Sequence, residues 1–310
     1  MVAAATALVV LGQATPEPVP LPTFARLSAP SENVVWTLVA GHLLFRSVDQ
    51  GATWEQRPLP SGPSPNVTMS FVDDQEGWLA AAGSPATQCQ VQGVVIWHTA
   101  DGGGTWQRLD SAGIGGGGCK GEVSFIDSLH GFLDVSGPNS QPVMYSTADG
   151  GATWSPSQPL PDPPGVTIGP AGFEVRAAGH VQSFGSTLLV PARAPGAQLV
   201  VYESDDGGAT WAYAASAPVG DASIGLATAS HWLQLITPGL SQETTDAGAT
   251  WFASASDYSQ AAPVAPEVIF ASSNVGYATV RGRISRTLDG GEHWTTLDTP
   301  GTCGVNPPCD

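Results

Sequence analysis

One octapeptide recurs six times along the 310 residues, and it limits the fold more than any other feature of the chain. The copies run Ser47 to Trp54, Thr99 to Trp106, Thr147 to Trp154, Ser204 to Trp211, Thr244 to Trp251 and Thr287 to Trp294. Their pattern is S/T-x-D-x-G-x-T-W, with His293 in place of the threonine in the last. An aspartate at this place folds back on the N–H groups of its own turn, the glycine supplies the positive φ of a tight hairpin, and the tryptophan anchors the turn. Asp49, Asp101, Asp149, Asp206, Asp246 and Asp289 therefore read as structural acids, with Trp54, Trp106, Trp154, Trp211, Trp251 and Trp294 as their anchors. Strand-like runs flank the copies, as in Val94 to His98 before the second and Trp106 to Leu109 after it, so each copy joins two antiparallel strands.

A looser motif lies upstream of three copies: Phe71-x-Asp73 leading to Gly77-Trp78, Phe125-x-Asp127 leading to Gly131-Phe132, and Phe270 leading to Gly276-Tyr277. Degenerate forms surround Ser31 to Trp36 and Ala227 to Trp232, and the fourth repeat, Phe173 to Val190, is the least regular. Two hairpins per repeat make four strands. Successive octapeptide tryptophans fall 40 to 57 residues apart, and radial repetition of four-stranded sheets is a β-propeller. A hidden seventh blade would need a gap of roughly 80 residues, which does not occur. The expected architecture is all-β: a six-bladed propeller over residues 24–298 with the octapeptide in the last hairpin of each blade. An apolar segment and Pro-rich linker (1–23) precede it and a cysteine-containing tail (299–310) follows.

Composition narrows the partners. With 38 Gly and 27 Pro a mostly helical fold is excluded, while 42% hydrophobic residues suffice for a core. The 27 acids against 10 bases, a formal charge of −17, oppose a nucleic acid or an anionic membrane surface. The apolar run Val2 to Leu11 is too short to span a bilayer. It reads as an export signal lacking a basic leading region, or else as an ordinary buried strand. The four cysteines, Cys89, Cys119, Cys303 and Cys309, form no C-x-x-C pair and no zinc spacing. They read as disulfides in an exported protein, extracellular or in the cell envelope; the alternative is four reduced thiols.

The six octapeptides resemble Asp-boxes, also called BNR repeats. Their pairing with F-x-D-x-x-x-G-W is similar to the propellers of photosystem II stability and assembly factors and the wider YVTN/BNR-like group. The resemblance covers residues 24–298 and implies that the boxes lie at the blade periphery, away from any active site. It implies a non-catalytic interaction or assembly module that binds a protein or glycan of the cell envelope as a monomer, without metal or cofactor. Asp-boxes also occur in sialidases, so a sialidase-like exo-glycosidase is the alternative. That chemistry needs three arginines clamping a carboxylate, a tyrosine nucleophile activated by glutamate, and an aspartic acid. The nearest match to the family's F/Y-R-I-P motif is Phe45-Arg46-Ser47-Val48, which lacks Ile-Pro. Arg26, Arg176, Arg193, Arg281 and Arg283 remain as clamp candidates. The assembly-factor relatives are thought to hold their partner through a basic patch, to which only Arg281, Arg283 and Arg286 bear any likeness here. Arg193, in the expected loop Pro191 to Gln198, is the candidate binding residue.

If both hairpin turns of each blade share one face, the second-to-third strand loops and the blade-to-blade connections share the other. Cys89 then meets Cys119. Cys303 is left for Cys309, as a clasp on a tail that helps pin ring closure.

Overall fold

The computed structural model describes residues 17–21, 23–61, 66–84, 89–137, 140–166, 175–220, 222–236, 239–259, 266–280 and 282–303. The expectations for Val2 to Leu11, Phe173, Arg281 and Cys309 fall outside them. Six antiparallel sheets follow one another along the chain, each made from one contiguous stretch of sequence, and together they form a six-bladed propeller.

In blade I the strands are Ala25–Ser28, Val35–Val39, Leu43–Ser47 and Glu55–Arg57, hydrogen-bonded in that order from the central channel outward. Blades II, III, V and VI repeat the plan from inner strands Asn66–Phe71, Cys119–Phe125, Ser223–Leu226 and Val268–Phe270. Blade IV departs from it. Its inner position is divided between Arg176–Ala177 and Gln182–Phe184, which both pair with Thr187–Ala194. That second strand runs through Pro191 to Ala194, so the loop expected at Pro191 to Gln198 is largely strand, closed by a single 3₁₀ turn at Pro195–Ala197. Arg193 therefore sits on a strand.

Most apolar residues pack between blades; one cluster, Ala25, Val39, Leu43 and Phe45, lies within blade I against Val19. Six buried clusters lie one at each blade junction, from Trp36, Leu38 and Phe71 between I and II to Leu27, Ile269 and Tyr277 closing VI onto I. Both faces of a blade are thus covered. This is why Val35–Val39 and Gly131–Gly137 are buried at every position instead of alternating.

The looser motif explains itself at these junctions. Trp36 of blade I stacks on Phe71 of blade II, and Trp78 of blade II on Phe125 of blade III, each with ring centroids 3.7 Å apart. The phenylalanine also lies across the glycine of its own hairpin: a Cβ on Gly131 would sit 2.5 Å from the Phe125 ring. Asp73 and Asp127 close the same hairpins by accepting two backbone N–H bonds each, at 2.6–2.8 Å.

The octapeptide turns share one hydrogen-bond scheme. In blade III, Gly151 N donates to Thr147 Oγ1 (3.0 Å), Thr153 N to Asp149 Oδ1 (2.9 Å), and Thr153 Oγ1 to Asp149 Oδ2 (2.6 Å). The glycine has φ between 74° and 100° in all six copies, a region that L-residues enter only with strain. In blades I, II, III, V and VI this turn is also bonded to the first hairpin turn of its own blade, for example Gly102 N to Gln75 O at 2.7 Å. Both turns therefore lie on one face. On the opposite face Cys89 and Cys119 are joined in a disulfide, Cα atoms 4.9 Å apart. The first and last described strands meet as well, with Val19–Pro20 pairing in parallel with Thr302–Cys303.

Two predictions follow from these contacts. Gly131→Ala forces Phe125 off its stack and is expected to cost about 1–3 kcal/mol, read by urea unfolding. The carboxyls of Asp49, Asp101, Asp149, Asp206 and Asp246 are drawn down to about 2. The threonine hydroxyl is the leading cause for four of them, and the Thr105 N–H for Asp101. Because the folded-state values lie below the unfolded ones, their stabilisation is complete above about pH 4 and is lost as pH falls through about 2. The melting midpoint should drop steeply across that window, and less steeply in Thr153→Val.

Candidate functional site

The inner strands leave a channel along the propeller axis, and blade IV closes it. Between its two short inner strands the chain turns inward, and His180 Nε2 donates across the axis to the carbonyl of Leu27 in blade I at 3.0 Å. His180 is 8% exposed and lines a cavity on either side of itself. One, about 210 Å³, opens toward the hairpin turns. The other, about 500 Å³, opens on the disulfide face and gathers most of the ionisable residues of the channel.

Four equivalent inner-strand positions contribute polar groups to this larger cavity: Arg26, Thr68, Glu122 and Glu267 of blades I, II, III and VI. Each stands two residues before the position paired with the second-strand aromatic Trp36, Trp78, Phe132 or Tyr277. In blade III the register slips between Lys120 and Val123, so Gly121 and Glu122 together oppose Asp134. That bulge lets Asp134 accept from the Glu122 N–H. Gly121 leaves the room for it, since a Cβ there would collide with the Asp134 carboxylate.

Arg26 Nη1 binds Glu122 Oε2 at 2.8 Å and stands 4.0 Å from Glu267 Oε2. Glu267 Oε1 accepts from Leu27 N at 2.6 Å. The other oxygen of Glu122 is buried without a hydrogen-bond partner, 4.0 Å from His180 Nε2. Burial is the leading influence on Asp134, pushing it up to about 7, and it drives Glu267 well above the usual carboxylate range. Arg26 is held further toward its charged form by Glu122.

Three more cations line the walls. Arg193 donates to the carbonyls of Gly220 (2.7 Å) and Ala222 (2.6 Å), which tether the start of blade V. Lys120, the one lysine of the chain, donates to Gly117 O (2.7 Å) and Gly118 O (3.1 Å), and burial draws it down to about 8. Arg176 Nη2 lies 3.9 Å from Cys119 Sγ. Arg26, Arg176 and Arg193, three of the five arginines considered for a clamp, thus share one cavity, and Arg283 lies exposed on a third strand. None of the five tyrosines lines this cavity. Tyr202 and Tyr258 are buried and donate to the Pro161 and Thr279 carbonyls. The octapeptide aspartates and tryptophans are likewise absent from its walls.

Glu122, Glu267, Asp134 and His180 were not singled out from the sequence. A signal did exist: Thr68, Glu122 and Glu267 each stand three residues before Phe71, Phe125 and Phe270 of the repeated motif. A third cavity of about 670 Å³, between blades I and II, is lined mainly by apolar residues including Leu59, Val67, Leu79 and Trp97.

No protein-family model and no curated protein matches the chain. Solved structures do. A YCF48 bound to a D1 peptide is similar over 92% of this chain and 88% of its own, with a TM-score of 0.52 at 15% identity. YCF48 from Cyanidioschyzon merolae gives 0.52 at 18% over 91% and 87%. The Hadza microbial sialidase Hz136 gives 0.57 at 13%, covering 90% of this chain and 66% of that one. At such identities the likeness shows the fold: a six-bladed propeller resembling both YCF48 and the sialidases.

The sign of the Asp134 shift sets a prediction. Folded Asp134 keeps a proton that the unfolded chain has lost, so its contribution to stability declines as pH rises from about 4 to about 7 and is constant above. Asp134→Asn removes that penalty. Melting curves should show the variant gaining on the wild type from about pH 4 to about pH 7 and keeping a constant lead above that.

Proposed function

We propose that this chain is an exported, non-catalytic propeller that receives a segment of a partner protein at the disulfide-face mouth of its channel. The carrying observation is the commitment of the cavity's cations. Arg26 is paired with Glu122, Arg193 is spent on two carbonyls and Lys120 on two more, in a cavity without a tyrosine. A sialic-acid clamp needs guanidinium forks turned toward the substrate and a tyrosine nucleophile beside them. The fold similarity to a YCF48 that binds a D1 peptide supports a peptide as the class of ligand. The disulfide supports an oxidising compartment, and the Val2 to Leu11 run an export route. The chain acts as a monomer, with a protein or glycan of the envelope as partner and no nucleic acid.

One observation favours the second reading, a sialidase-like exo-glycosidase: Arg26, Arg176 and Arg193 do line one cavity together with three carboxylates. A fluorogenic sialoside separates the two. The interaction reading predicts no turnover by the purified protein and recovery of a specific envelope protein by affinity capture, lost when the mouth is altered by Arg176→Glu. Turnover that disappears in Arg26→Ala would replace this reading with the enzymatic one.

A further inference from the structure

Beside His180, at the closed end of the cavity, carboxyl groups outnumber the cations that face them. Glu122, Asp134 and Glu267 face the single guanidinium of Arg26. Glu122 keeps one oxygen buried and without a hydrogen-bond partner. A buried polar atom left in this state costs more than one exposed to water, and a buried carboxylate is stable only when paired. The other cations of the cavity do not supply the pair. Arg193 and Lys120 are directed to backbone carbonyls, while Arg176 favours the ionised form of Asp134 from the rim. His180 spends its Nε2 proton on Leu27 O.

We propose that this end of the cavity is a subsite for an organic monocation, the guanidinium or ammonium group of an arginine or lysine side chain, bound between Glu122 and Glu267. A flat or tetrahedral N–H donor there gives Glu122 its missing partner and gives Glu267 a second one beyond Leu27 N. The blind end made by His180 sets the depth, so a side chain enters and stops. The net charge of −17 on the whole chain draws cations toward the mouth. The inference rests on the reading that the mouth receives a partner segment and adds that the inserted residue is basic.

Binding should expel protons, because burial keeps Asp134 and Glu267 partly protonated near neutral pH. The probe is methylguanidinium chloride, titrated calorimetrically into the full-length protein in two buffers of different ionisation heat, with sodium acetate as the anionic counterpart. The expected result is saturable binding of methylguanidinium with proton release at pH 7.5, affinity rising about tenfold from pH 6 to pH 8, and at least a tenfold loss in Glu122→Gln. Glu243→Gln, remote from the cavity, should bind as the wild type does. Absence of saturable binding, a flat pH profile, equal affinity in Glu122→Gln, or acetate binding in preference to methylguanidinium each overturns the subsite. The pH profile uses the unaltered protein, so it decides the matter even if Glu122→Gln fails to fold. Failure to capture an envelope partner while methylguanidinium binds would count against the protein-interaction reading and leave the subsite standing.

Discussion

Each blade begins with a strand that has only one neighbour, and the propeller depends on how those six open edges are satisfied. Backbone N–H and C=O groups facing a narrow channel need partners as surely as those inside a sheet. This chain supplies them from side chains of the adjacent blade. Ser28 Oγ accepts from Phe71 N at 3.0 Å, Ser70 Oγ from Phe125 N at 2.8 Å, and Ser124 Oγ from Val181 N at 3.0 Å, linking blades I to II, II to III and III to IV. Arg193 carries the link from IV to V through Gly220 and Ala222, Ser223 binds Pro266 O between V and VI, and Glu267 returns to Leu27 N of blade I. The stacked aromatics and the six junction cores lie outside this inner ring and share its register.

Most of this architecture was legible because it rests on local rules repeated six times. The octapeptide needs a short polar side chain, a positive-φ glycine and an aspartate at fixed offsets, and nothing distant alters that requirement. The F-x-D hairpin was legible for the same reason, although its glycine answers to a ring pressed against it and its phenylalanine to a tryptophan of the preceding blade. The Cys89 and Cys119 pairing followed from deciding which loops share a face. What could not be read was chemistry produced by irregularity. The bulge at Gly121 and Glu122 and the divided inner strand of blade IV break the repeat, and no periodicity announces either. Those two breaks set Asp134 beside Glu122 and bring His180 to the axis. Arg193 looked like a loop charge because two prolines and a glycine surround it, whereas Pro191 is accommodated inside Thr187–Ala194.

The same side chains therefore serve the ring and the cavity. Arg193 and Glu267 close blade junctions while lining the space a ligand would enter, and His180 blocks the channel by bonding to the strand opposite. This coupling weighs against a clamp that uses Arg193, since turning it toward a substrate would release the two carbonyls it holds. It also leaves Glu122, which bears no junction, as a group of the cavity wall with unmet bonding capacity.

Amide hydrogen exchange at Phe71, Phe125 and Val181 tests the inner ring most directly. If serine hydroxyls hold the open edges, these three amides exchange only through global unfolding, and Ser70→Ala speeds exchange at Phe125 while leaving Val181 protected. Exchange at all three as fast as in the exposed hairpin turns, or no change at Phe125 in Ser70→Ala, would contradict the account.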